Sequence, residues 1–179
     1  MNPELRELIA GLRAELEGGR PATLVWAQIN AGAPADEIPA GLPRPVRELL
    51  AAADGILAGA FDLPAAAELP GIQYHLETMP GFTRIADEPQ RWLVFGTLHE
   101  EPLLLDRETG AVWYFPDADG DEWFMRERFD NVASGLDEFV GHYVFGPGYG
   151  RIAFDDDEWW EFLSRHGLTE GDHDGGREA

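Results

Sequence analysis

Hydrophobic positions near the start of the chain recur at helical spacing: Leu5, Leu8, Ile9, Leu12 and Leu16, with Glu and Arg between them and Gly18-Gly19 as a stop. Intervals of three and four residues place these side chains on one face, so residues 3–17 are predicted to form an amphipathic helix that must cover an apolar surface. A second helix is predicted from Pro45, where Val46, Leu49, Leu50 and Ala53 share a face and Gly55 provides a C-terminal signal. The pattern then changes period. Residues 91–98 (RWLVFGTL), 102–108 (PLLLDRE) and 111–117 (AVWYFPD) are apolar, β-branched and aromatic runs that read as a three-strand antiparallel meander. Asp106, Thr109 and Gly110 supply the chemistry of a tight turn, because glycine accepts the positive φ that a hairpin needs.

Between these signals the pattern is weaker. Residues 22–29 are β-rich but short, and residues 30–45 carry Pro34, Pro39, Pro43 and Pro45, which reads as a connecting loop. Pro64, Pro70, Pro80 and Pro89 break any long helix within 56–90 and favour short strands or loops laid over the core. Ser134 is placed to cap a helix bearing Leu136, Phe139, Val140 and Tyr143, and a last helix is expected over 155–166. The segment 169–179 is polar, glycine-rich and acidic, and is expected to be a disordered tail. The whole is expected to be one domain, residues 1–168, followed by that tail.

Composition narrows the chemistry. No cysteine occurs, which excludes disulfides, thiolate metal sites and cysteine nucleophiles. All 13 basic residues are arginine, so mechanisms that need a primary amine, such as a phosphate-loop or Schiff-base lysine, are also excluded. The two serines, Ser134 and Ser164, lie outside any nucleophile-elbow pattern, and the five histidines show no close metal-ligand spacing. His99-Glu100 begins like a zinc-protease helix, but Leu103 stands where the second histidine belongs and Pro102 breaks the helix. The start of the chain carries acids throughout and no apolar run reaches membrane-spanning length, so a cytoplasmic protein with no membrane partner is expected.

The formal net charge is −21, unevenly spread: residues 1–89 hold 6 Arg against 13 acids, residues 90–179 hold 7 against 21. Such a charge repels nucleic acid and favours encounter with a basic surface, although it equally serves solubility. Two acidic clusters stand out. Asp117, Asp119, Asp121 and Glu122, beside Trp123, open like a calcium loop, but Glu122 occupies the glycine position and Arg128 that of the bidentate glutamate, so no metal is expected. Asp155, Asp156, Asp157 and Glu158 precede Trp159-Trp160 and Phe162-Leu163. The plain reading is acids at a helix N-terminus followed by docking residues. The functional reading of both clusters is a partner-binding patch, in which carboxylates steer a basic protein and an exposed tryptophan anchors it.

The order of four segments resembles the SUKH superfamily, which includes yeast cell-wall-assembly regulators of the Smi/Knr type and many bacterial immunity proteins. They are IPAGLPRPVRELLAAADGIL (38–57), WLVFG (92–96), LLLDRETGAVWYF (103–115) and VASGLDEFVGHY (132–143), so the resemblance spans about residues 38–145. It implies an α+β domain with a central antiparallel sheet flanked by helices, no shared catalytic motif, no cofactor, and binding of a toxin domain, often a nuclease. A regulatory scaffold that binds an endogenous protein is the alternative that the yeast relatives imply. Physics fits the first: a nuclease grips phosphates with a basic groove, which an acidic protein can occupy as a phosphate surrogate.

Overall fold

The computed structural model describes residues 1–77, 85, 88–116 and 129–170. Helix α1, Pro3–Gly19, starts where the Asn2 side chain accepts the Glu4 amide at 2.9 Å, and it buries Leu5, Ile9, Leu12 and Leu16, the face that the spacing predicts. It runs through Gly18-Gly19 instead of stopping before them. Helix α2, Arg44–Leu50, buries Val46, Leu49 and Leu50, and ends earlier than the apolar pattern, in a turn over Ala51–Ala53 closed by main-chain bonds to Arg47 and Leu49.

Seven antiparallel strands follow one another in space as they do in sequence, giving an α+β fold. They are β1 (Gln28–Ile29), β2 (Ile56–Ala58), β3 (Phe61–Leu63), β4 (Trp92–Leu98), β5 (Glu101–Asp106), β6 (Val112–Tyr114) and β7 (Asp130–Ala133). The expected meander is β4–β6, with Gly110 at φ +79° and the Gly110 amide bonded to the Asp106 carbonyl at 2.8 Å. The proline-rich stretch 56–90 contributes β2 and β3 and two single-turn helices, α3 (Leu69–Ile72) and α4 (Tyr74–Glu77). Ser134 is not the cap of the helix after it: Gly135 holds that position, while the Ser134 amide (2.8 Å) and hydroxyl (2.5 Å) both donate to Glu138. That helix, α5 (Leu136–Glu138), widens into a π-helical segment, Phe139–Val144, before α6 (Tyr149–Ile152) and α7 (Glu158–Arg165).

Side-chain alternation along the strands sets the layers. One sheet face, including Ile56, Phe61, Leu63, Phe95 and Leu105, packs against α1, α2, α5 and α7 in the main core. On the opposite face Trp92, Val94, Leu104 and Phe115 close over Ile85 in a second cluster. Strand β4 is therefore buried on both faces over most of its length, whereas β2 and β3 alternate buried, exposed, buried. Register lines up the exposed residues of the first strands, Gln28 opposite Leu57, Leu57 opposite Asp62 and Asp62 opposite Thr97. The β1–β3 end of the sheet thus turns Gln28, Leu57 and Asp62 outward.

Candidate functional site

The acidic cluster ahead of α7 divides into two jobs. Asp157 is the N-cap: its Oδ1 accepts the Trp160 amide at 2.7 Å, satisfying one of the unpaired donors of the first turn. Its Oδ2 accepts the hydroxyl of buried Tyr149, and that hydroxyl in turn accepts the Ala60 amide at 3.1 Å. Burial first, and then the hydrogen bond to Asp157, hold the Tyr149 phenol far above its ordinary range, so it stays a neutral donor. Trp159 is buried and donates its indole N–H to the Val144 carbonyl at 3.0 Å, and Trp160 stacks on Tyr149. The tryptophans of this segment therefore help dock the helix, Trp159 fully buried and Trp160 half-buried. Asp155, Asp156 and Glu158 remain exposed. The other expected cluster, Asp117, Asp119, Asp121, Glu122 and Trp123, lies outside the described residues.

An exposed tryptophan does exist, in a place that sequence patterning does not single out. Trp26, in the turn before β1, is 83 % exposed, with Val25 beside it at 57 % and Leu57 of β2 at 38 %. Together with Gly59, Asp157 and Glu158, Trp26 and Leu57 line a notch of about 190 Å³. The β2–β3 hairpin forms its floor. Gly59 turns there with φ +57°, and a Cβ on it would sit 2.0 Å from the Tyr149 hydroxyl, so only glycine lets the hairpin rest on α6 and α7. Arg20 donates to the Val25 carbonyl, next to Trp26, at 3.2 Å.

Two further grooves lie on the described surface. One of about 260 Å³ runs along Gln28, Asn30, Asp62 and Glu68, where desolvation and then the charge of Glu68 raise the Asp62 carboxyl above its usual range. The other, about 460 Å³, is walled by His99, Tyr114, Arg151 and Phe154, with the His99 ring 4.6 Å from the exposed Phe154 ring. Its turn is strained, because His99 and Glu100 both take positive φ, 51° and 69°. Among the described residues no group of three or more His, Asp or Glu side chains could hold a metal ion, and no helix is long and apolar enough to cross a membrane.

A family model described as SUKH-4 immunity protein matches residues 22–145. No curated protein and no solved structure matches the chain. The match begins ahead of the segments that carry the resemblance in the sequence, takes in Trp26 and all seven strands, and stops before α6 and α7, so Asp157 and Glu158 lie beyond it. It covers well over half of the 179 residues and the entire sheet that organises the core, so the chain belongs to the SUKH-4 immunity protein family, membership that implies neutralising a cognate toxin by binding it.

Proposed function

We propose that the chain is a non-catalytic immunity protein of the cytoplasm that neutralises a basic toxin domain, of the nuclease type, by masking its phosphate-gripping groove. The carrying observation is the joint one of family membership and a net charge of −21. A groove built to hold phosphates presents arginines and lysines, and an acidic surface both steers toward it and competes with its substrate. Asp155, Asp156 and Glu158 support this reading, being exposed carboxylates at one helix start with no ion pair among the described residues. Asp117, Asp119, Asp121 and Glu122, with Trp123, remain proposed contributors on composition alone.

The test is rescue. Expression of the C-terminal domain encoded by the adjacent gene should kill cells, and co-expression of this chain should restore survival with formation of a stable complex. Rescue should weaken when Asp155, Asp156 and Glu158 are neutralised together. Asp157 is left out of that set because it holds the fold together through Trp160 and Tyr149. Absence of both rescue and complex would discard the immunity reading in favour of a regulatory scaffold.

A further inference from the structure

We propose that the Trp26 notch is the toxin-docking anchor, with the Trp26 indole and Leu57 receiving an apolar side chain of the toxin and Glu158 receiving an adjacent arginine or lysine. This inference rests on the immunity reading and names the surface that performs it.

Several observations converge on one place. A tryptophan 83 % exposed leaves a large apolar surface in water, and in the described structure Val25 and Leu57 extend it instead of covering it. Trp is the residue type most enriched among binding hot spots, because it brings area at little conformational cost. The notch beside it, about 190 Å³, is smaller than the clefts of about 300–1,000 Å³ that hold small-molecule ligands, and it suits a single protein side chain. Its floor is rigid: Gly59 is pressed against Tyr149 and Trp159, and Tyr149 is held by Asp157 and Ala60. A preorganised floor spares the ordering cost of binding.

Charge decides the occupant. Both Asp157 oxygens are engaged within the fold, whereas Glu158 is exposed and makes no ion pair among the described residues. Residues 155–161 carry five acids and no base, while Arg20 donates to the Val25 carbonyl beside Trp26. Two copies of a chain carrying −21 repel each other, so self-association through this face is opposed and a basic partner is favoured. A basic side chain placed at Glu158 would also lie within reach of the indole face, adding a cation–π contact. The anchor lies inside the family match and the acidic rim outside it, an arrangement suited to a shared docking place with a partner-specific rim.

The experiment is a calorimetric titration of an active-site-inactivated toxin domain from the adjacent gene into the full chain and its variants. Trp26→Ala should weaken binding by at least roughly thirtyfold and Glu158→Arg by roughly tenfold, as expected for a hot spot and its charged neighbour. Trp26→Ala should keep the wild-type melting temperature, because an exposed side chain contributes little to stability. Phe154→Ala, at the 460 Å³ groove, should bind as wild type does. Wild-type binding with unchanged affinity for Trp26→Ala, or loss confined to Phe154→Ala, would overturn the docking site and leave the immunity reading standing. Failure of the wild-type chain to bind would overturn both. Light scattering on the free protein adds a further decision: a dimer that dissociates in Trp26→Ala would show that a second copy covers the notch.

Discussion

The Tyr149 hydroxyl is shared between two distant pieces of backbone, donating to the Asp157 carboxylate at the start of α7 and accepting the Ala60 amide in the β2–β3 hairpin. One side chain thus fixes the last helix against the first strands, and the Trp26 notch lies between them. Tyr149→Phe removes both bonds while keeping the ring, leaving a half-buried carboxylate oxygen and a backbone N–H without their partner. The expected cost is about 1–3 kcal/mol, read from urea denaturation, with toxin affinity lowered as well because the notch loses its fixed floor.

Gly59 provides a second check on the same junction. A methyl group there would face φ +57° and a contact of 2.0 Å with the Tyr149 hydroxyl, and Tyr149 cannot retreat without giving up Asp157. Gly59→Ala is expected to destabilise by about 2–4 kcal/mol, combining left-handed strain with overpacking. A thermal midpoint within a degree of wild type would show that the hairpin has slack that this packing denies.

How far such features could be read beforehand depends on how local their causes are. The meander β4–β6 was legible because its runs are apolar and aromatic and are separated by turn residues such as Thr109-Gly110, and α1 because five apolar residues repeat over about three turns. Strands β2 and β3 have three residues each, too few for alternation to register against the surrounding prolines. The last helix begins at Glu158 and not at 155, because Asp157 is worth more as a cap than as a helical residue. Trp26 lies in the more apolar stretch, TLVWAQI, and Trp159 directly follows four acids, yet Trp26 is 83 % and Trp159 1 % exposed. That difference is set by which elements α7 and the hairpin bring together, which no local pattern encodes.

Asp106 gives a pH prediction. It is 1 % exposed, its Oδ2 accepts Arg91 at 2.7 Å, and its Oδ1 accepts Arg91 at 3.1 Å and the Glu108 amide at 2.9 Å. Burial alone would raise the carboxyl, but Arg91 and the turn amides outweigh it and hold the group at about 2. A depressed folded-state value means that the stabilisation is complete above the unfolded carboxylate range, near about 4, and is lost as pH falls through about 2. With Arg91 a quarter exposed, the pair is worth on the order of 1–2 kcal/mol. Asp106→Asn should lower stability by that amount at pH 7 and flatten the decline of the urea midpoint between pH 5 and pH 2. A decline as steep as that of the wild type would assign the acid sensitivity to other carboxylates.

Glu100 sits in the two-residue turn between β4 and β5 at φ 69°, exposed, a conformation that costs an L side chain roughly 1–2 kcal/mol. Glycine relieves that strain but adds freedom to the unfolded chain, so Glu100→Gly is expected to raise stability by about 0.5–1 kcal/mol. Loss of stability instead would indicate that the Glu100 side chain makes an interaction stronger than the strain it bears.

The acidic surface makes the last prediction kinetic. Exposed carboxylates act on an approaching basic toxin over a distance that salt sets, about 8 Å at physiological ionic strength and about 3 Å at 1 M. Raising salt from about 50 mM to about 500 mM should therefore slow association by roughly tenfold or more while dissociation changes less, because the apolar contact at Trp26 carries no charge for salt to screen. Neutralising Asp155, Asp156 and Glu158 together should lower the association rate at low salt and reduce the slope of that rate against salt. Trp26→Ala should do the reverse, leaving the association slope intact and speeding dissociation. Surface-plasmon resonance at several salt concentrations separates the two contributions. A dissociation rate that rises with salt as steeply as the association rate falls would mean that Asp155 and Asp156, and not Glu158 alone, form part of the bound contact.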